Sequence, residues 1–433
     1  MGCCLGTPNG CLFCLPDSGL RAISRGVTAI SGYRFEASGG SARADGARPA
    51  VRLGRLTLTD FRNYAALRLE TEGLPLVLTG PNGSGKTNLL EAISLLAPGR
   101  GFRGAPFEEL LRRGSAGFAV AADIDGPQGR IAAGTAFHRD QAPDQGSGQR
   151  QVKLAGRLCK GSGALAQHAR ILWLTPSMDR LFSGPPGDRR RFLDGLVAAF
   201  DPAHSVRVGQ FERAMRERNR LLAELPLDAR WLAAVETQMA ESAVALAAAR
   251  VSALEALTAY VGQSLTARFG GAFPWVKVHV QGGLEDHVRT GPAVQAEDAY
   301  RQALHDGRRL DQVAGRTLAG PHRSEFLVTH GPKDVPAEHC STGEQKALLI
   351  GMILAHARAV RDNFQGHAPL LLLDEVVAHL DAERRVGLFA ELRELGAQAF
   401  MTGTDELLFA AARDDAAFLR VEAGQVSPST NRQ

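Results

Sequence analysis

Aromatic residues are scarce in this chain, with three Trp and four Tyr among 433 residues. That leaves little material for a platform on which single-stranded bases could stack. Cysteine is scarcer still beyond the N-terminus: Cys3, Cys4, Cys11 and Cys14 come early, and only Cys159 and Cys340 follow. The body of the chain therefore reads as reduced and cytoplasmic. No uninterrupted apolar run approaches the ~20 residues of a membrane span, so no membrane partner is expected. Charge of one sign does not dominate either. A net charge of +4 and a pI near 8.8 are compatible with nucleic acid without demanding it.

The early cysteines admit several readings. Cys11-Leu-Phe-Cys14 has the CxxC spacing of a zinc site, but the adjacent pair Cys3-Cys4 is a poor first half for one tetrahedral ion. Met1-Gly2-Cys3-Cys4 resembles an acylated start, except that Gly6 stands where that pattern needs Ser or Thr. No apolar segment follows the basic residues, which argues against a secretory signal. Residues 1–50 are rich in Gly, Ser, Ala and Arg without periodicity, the composition of a disordered extension.

Order is expected from Val51. "RLTLTDFRNY", "ALRLETEG" and "LPLVLTG" read as strands, and "TNLLEAISLL" as a helix stopped by Pro98-Gly99. Alternating runs between Gly117 and Cys159 predict an antiparallel meander with its polar tip at "DQAPDQGSGQ", and "RILWLTP" reads as another strand. From Pro186 to about Gly270 the spacing is helical, with long helices predicted over Pro202–Leu225 and Asp228–Phe269 around the turn "ELPLD". A strand "WVKVHV" and one helix "EDAYRQALHDGRRL" close this stretch. A helix over Gly343–Asn363, the strand "PLLLLDEV", a helix "AERRVGLFAELREL" and the strand "AQAFMTGT" then resume an α/β pattern. The expectation is an α/β head built from both chain ends, residues 51–183 and 315–433, with a helical lobe inserted at 184–314.

The chemistry concentrates in three short stretches. "GPNGSGKT" is a complete P-loop: Gly80, Pro81, Asn82, Gly83, Ser84, Gly85, Lys86 and Thr87. At ~7% Gly, a chance match in a chain this long is on the order of one per cent. The glycines let backbone N–H groups turn inward around phosphates, at a helix N-terminus whose dipole favours anions. Lys86 is expected to reach the β- and γ-phosphates of ATP, and Thr87 to ligate Mg²⁺. "LLLLDE" reads as a buried parallel strand delivering Asp374 beside that loop, to hold Mg²⁺ through a water. Glu375 is placed to accept a proton from an attacking water. In "CSTGEQKALL", Ser341 caps a helix whose N-terminus suits a phosphate, yet this chain's own phosphates are already accommodated by Gly83, Lys86 and Thr87.

Taken together, "LTDFRNY", "GPNGSGKTNLLEAI", "GRGFR" at 99–103, "GPPGDRRRFLD", "GPHRSEF", "STGEQKALL" and "LLLLDEVVAHLD" resemble the RecF family of ABC/SMC-like repair ATPases. The likeness runs over essentially everything from Val51 onward. It implies a P-loop ABC-type head, an ATP-dependent homodimer with two nucleotides sandwiched head to tail, and weak, DNA-stimulated hydrolysis. It also implies binding to single-stranded and duplex DNA at gaps, and work with RecO and RecR to load recombinase. By the same resemblance Ser341, Gly343 and Gln345 would complete a partner's site, Asp381 would cross the dimer interface, and Arg62 would lie near the nucleotide. Two departures stand out. Ser177 occupies a position where many relatives carry an acid, and Thr402 or Thr404 falls near the switch His of transporter cassettes. The identity of a γ-phosphate sensor is left open.

Arg189, Arg190 and Arg191 open a helix, where the dipole disfavours cations, and so are candidates to face DNA phosphates or simply a solvated cluster. Arg213, Arg216, Arg218 and Arg220 interleave with Glu212, Glu217 and Glu224, more like an ion-paired surface than a basic stripe. Nothing supports sequence-specific base readout. Two rivals are an SMC-like structural head, disfavoured by an insert of about eighty helical residues, and a transporter ATPase subunit, which lacks "FRNY" and "RRRFLD".

Overall fold

The structure, a computed structural model, describes residues 49–139, 148–224, 228–262 and 272–429. The expectations for the N-terminal extension and its cysteines lie outside the described residues, as do most of the meander's tip and the final turns expected of the long helix. The chain begins with the hairpin β1 (Arg52–Phe61) and β2 (Tyr64–Glu70), then β3 (Leu76–Thr79) and α1 (Lys86–Ser94). The meander follows as β4 (Gly117–Gly126), β5 (Gly129–His138), β6 (Arg150–Leu154) and β7 (Arg157–Cys159), and then comes β8 (Ile171–Leu174). Strands β2-β1-β4-β5-β6-β7 form one antiparallel sheet.

Next come the lobe helices α2 (Pro186–Phe200), α3 (His204–Ala223) and α4 (Ala229–Val261), the strand β9 (Val276–Gln281), and α5 (Gly283–Thr290), α6 (Ala293–Asp306) and α7 (Arg308–Ala314). The single helix expected after β9 is in fact two, broken at Gly307, and α5 precedes them. Strand β10 (Glu325–His330) pairs with β9 on one side and β11 (Val335–Pro336) on the other, in a small antiparallel sheet. The chain ends with α8 (Thr342–Asn363), β12 (Leu370–Leu373), α9 (Ala382–Leu395), β13 (Ala399–Gly403), β14 (Ala417–Glu422) and β15 (Gln425–Pro428).

The second large sheet has the order β15-β14-β3-β13-β12-β8, parallel except for its β15 edge. Two of its strands come from the first half of the chain and four from the last quarter. Its central strands are buried on both faces, as β3 and β12 are at every residue, which is what continuous apolar runs such as "LLLL" require. Val77, Leu371, Leu373 and Met401 pack on one face with α8, α9 and α2. Leu76, Leu78, Leu370, Leu372 and Phe400 pack on the other with α1 and the antiparallel sheet.

The lobe has its own core along α3, α4 and α6. By length and composition α4 could cross a bilayer, but here it is a packed helix carrying ionic contacts. Its Glu236 meets Arg218 at 3.0 Å, and its Arg250 meets Asp194 and Glu285 at 2.9 and 3.0 Å. The expectation of a surface position for Arg218 is corrected. Its side chain is fully buried, bonded also to Asp311 (2.6 Å), Thr317 (3.0 Å) and the Leu304 carbonyl (2.6 Å). Removing one member of such a cluster costs about 3–5 kcal/mol, because the others stay buried and uncompensated. Its neighbour Arg220 does lie on an exposed, paired surface with Glu217 and Glu224.

Candidate nucleotide site

The P-loop links β3 to α1, so the strand fixes one end of the loop and the helix the other. Two glycines are required by space as well as by backbone. Gly80 (φ 141°) would bring a Cβ to 2.2 Å from the Val421 carbonyl oxygen, and Gly85 (φ 118°) would bring one to 2.5 Å from Asn63. The tip of the β1–β2 hairpin braces the loop from outside. Asn63 Nδ2 donates to the Ser84 carbonyl and the Tyr64 hydroxyl to the Gly85 carbonyl, each at 3.0 Å. Burial raises the Tyr64 phenol well above its ordinary range, so it stays a donor. Far below, Arg150 of β6 donates to the Leu95 and Ala97 carbonyls at 2.6 and 3.3 Å, just past the end of α1. Burial lowers its pKa to about 10, which leaves a cation where the helix dipole favours one.

Lys86 is buried, and its ammonium donates to the Gly80 and Pro81 carbonyls at 2.8 and 3.0 Å. Desolvation lowers its pKa, while the carboxylates of Glu375 and Asp374 pull it back up. Thr87 Oγ1 donates to Asp374 Oδ1 at 3.0 Å, although 287 residues separate them. Asp374 is buried at the end of β12, where its backbone N–H donates to the Leu174 carbonyl of β8 at 2.9 Å. Glu375 follows in the left-handed backbone region at φ 51°, and its N–H donates to Thr402 Oγ1 at 2.9 Å. The Thr402 hydroxyl in turn donates to Asp374 Oδ1 at 2.7 Å.

These residues fit a nucleoside triphosphate. Gly80, Gly83 and Gly85 all take positive φ, which frees the loop backbone to turn, and Ser84 Oγ is buried with no hydrogen-bond partner among the described residues. Among the described residues no three His, Cys, Asp or Glu side chains cluster to hold a metal alone. Thr87 and Asp374 together suit Mg²⁺, which takes few protein oxygens and completes its shell with phosphate and water.

The other expected residues fall in distinct places. Arg62 lies at the hairpin tip and forms a two-pronged pair with Glu91 of α1, both contacts at 3.0 Å, which Arg103 joins at 2.9 Å. Ser341 caps α8 in a reciprocal arrangement: its N–H and its hydroxyl both donate to Glu344 Oε2 at 2.9 Å. Lys333 and these Ser341 donors hold the Glu344 pKa down to about 2. Gly343 faces open space, and Gln345 is buried, donating to the Cys340 carbonyl at 3.0 Å. Asp381 caps α9 by accepting from the Arg384 N–H at 2.8 Å.

Of the three arginines opening α2, Arg189 pairs with Glu325 at 2.6 Å and Arg190 donates to the Ser324 carbonyl at 3.0 Å. Both are thus engaged in joining α2 to the "GPHRSEF" segment, and Arg191, highly exposed and paired with Asp188, is the one turned to solvent. Sequence reasoning missed the bracing role of Asn63, Tyr64 and Arg150. "FRNY" held the signal for the first two, as a polar turn between alternating strands.

The family model described as the RecF/RecN/SMC N terminal domain matches residues 52–427. A Mesorhizobium japonicum protein described as DNA replication and repair protein RecF is 50% identical over 378 residues, covering 87% of this chain and 98% of its own length. One of the same description from Rhizobium meliloti is 49% identical over 378 residues, covering 87% and 99%. The solved structure of the recombination mediator protein RecF with ATP, in the RecFOR pathway, matches with a TM-score of 0.75 at 22% identity, covering 89% of this chain and 100% of that one. At that identity the likeness is one of fold.

Proposed function

The chain belongs to the RecF family of DNA replication and repair proteins, and from that premise we propose that it is an ATP-switched DNA-binding protein of recombinational repair. In this reading the P-loop takes ATP with Mg²⁺, and two copies close head to tail on the nucleotides. The dimer then engages DNA at single-strand gaps beside duplex, through backbone and shape rather than base sequence. RecO and RecR are its expected partners in loading recombinase, and the cytoplasm, where the chromosome lies, its site of action. The observation that carries the reading is the Thr87–Asp374 contact, which joins the first nucleotide motif to the second across 287 residues.

Each residue has a defined task. The P-loop amides and Lys86 bind and orient the phosphates, with Lys86 already desolvated for that contact. Thr87 and Asp374 hold the magnesium, which neutralises phosphate charge when bound. Glu375 accepts the proton of the attacking water. Ser341 and Gly343 serve a second copy's γ-phosphate, for which the open space at Gly343 leaves room. Such an enzyme turns over slowly and acts mainly as a switch.

Glu375→Gln tests the order of events. Turnover should fall by about 10²–10⁴-fold while ATP still binds. Sedimentation should then show the variant accumulating as a dimer with ATP and binding gapped DNA in that state. A variant that stays monomeric at saturating ATP refutes ATP-driven pairing.

A further inference from the structure

Thr402 is fully buried at the end of β13, and its single hydroxyl makes two contacts that meet at the reacting end of the site. It donates to Asp374 Oδ1 at 2.7 Å and accepts the Glu375 N–H at 2.9 Å. A hydroxyl has one proton and two lone pairs, so both bonds can form at once and each fixes the direction of the other. The first orients the carboxylate that also accepts from Thr87. The second holds a peptide that needs holding. A non-glycine residue at φ 51° sits about 1–2 kcal/mol above the ordinary helical region, and it stays there only when its surroundings specify it.

We propose that Thr402 is a positioning residue for nucleotide hydrolysis, one that sets the magnesium-side carboxylate of Asp374 and the backbone of Glu375 in register through one hydroxyl. Fully buried, it acts through these two residues. Of the two threonines near the end of β13, Thr404 is exposed and Thr402 faces inward, so Thr402 serves the acidic pair rather than sensing a γ-phosphate. Because β13 lies between β3 and β12, the strand that carries Thr402 touches both nucleotide-bearing strands. A shift of β13 against β12 would therefore move Asp374 and Glu375 together. This inference rests on the nucleotide reading of the site.

The test compares Thr402→Val, which keeps the branched shape and loses the hydroxyl, with Thr402→Ser, which keeps the hydroxyl. Three quantities are read on the full chain: affinity for a fluorescent ATP analogue in EDTA, the Mg²⁺ concentration that half-saturates the gain in affinity, and kcat against KM. Thr402→Val should bind nucleotide in EDTA as the wild type does. It should need about 10–100-fold more Mg²⁺ and lose kcat by a similar factor, with KM little changed once Mg²⁺ saturates. Thr402→Ser should restore most of both.

Wild-type Mg²⁺ dependence and kcat in Thr402→Val overturn the proposal and leave the nucleotide reading standing. Equal losses in the Val and Ser variants, or a loss already present in EDTA, overturn it too, since packing rather than the hydroxyl would then be at work. A wild-type protein that binds no ATP at any Mg²⁺ concentration overturns both.

Discussion

Lys86 carries the clearest expectation at the scale of a single residue. It is a compact, buried ammonium bonded to the Gly80 and Pro81 carbonyls. Lys86→Arg keeps the charge but replaces a point donor with a longer planar fork. Nucleotide affinity should survive in part, while hydrolysis falls by about 10²-fold because the phosphates are misplaced. A filter-binding assay beside a phosphate-release assay separates the two. The P-loop, Asp374 and Glu375 were legible because phosphate cradles and strand-end carboxylates are written in contiguous residues. Thr402 was visible as a residue yet not as a tether, since a lone hydroxyl has no pattern around it. Arg218 misled for the opposite reason. Its flanking glutamates look like those of any exposed helix, and its partner Asp311 is 93 residues away.

Among the elements, α8 joins an exposed, capped start to a buried length. Its first turn displays Ser341 and Gly343, and nearly all of the rest is buried. His356 lies on that buried length, donating from Nε2 to the Leu196 carbonyl of α2 at 3.0 Å and meeting the Phe200 ring edge-on at 4.8 Å. Burial pushes its pKa down to about 4, so the folded protein keeps it neutral. The unfolded chain takes up the proton first, at its ordinary pKa near 6.5. The stabilisation linked to His356 is therefore complete above pH 6.5 and is lost as the pH falls from there towards 4. His356→Gln should remove this slope, so that wild type and variant differ by less at pH 5 than at pH 8 in urea midpoint. A gap that widens on acidification would show the sign to be wrong. The strands and long helices were legible here because period and length agreed. The break between α6 and α7 was not, since Gly307 lies in a run that otherwise reads as one helix.

For the whole molecule, the decisive question is whether the Ser341 turn acts on another copy. Ser341→Arg should leave a monomer's own ATP affinity near wild type and abolish dimerisation and turnover, whereas Lys86→Ala loses its own site. A head-to-tail dimer of the two variants has one doubly defective site and one intact site. Mixing them should therefore restore roughly half of the turnover per dimer, a pairing that only a reciprocal two-fold contact provides. Titration of one variant into the other, followed by phosphate release, reads the outcome. No recovery, with both proteins folded, would mean the turn does not work in trans. The α/β head with its inserted lobe was legible as a whole, because the apolar strands at the two chain ends have no other partners. The C-terminal hairpin β14–β15 was not anticipated, although β14 completes the parallel sheet beside β3.

That sheet also sets a timetable. Strand β3 finds its neighbours β13 and β14 only when the end of the chain exists. At synthesis rates of ~5–20 residues per second, the P-loop leaves the ribosome about 15–60 s before Asp374 arrives to meet Thr87. During that interval the meander and the lobe can fold on contacts of their own, while the phosphate cradle has one wall. The two halves of the nucleotide site thus meet last, and a chain cut short anywhere before β12 lacks the Thr87–Asp374 contact.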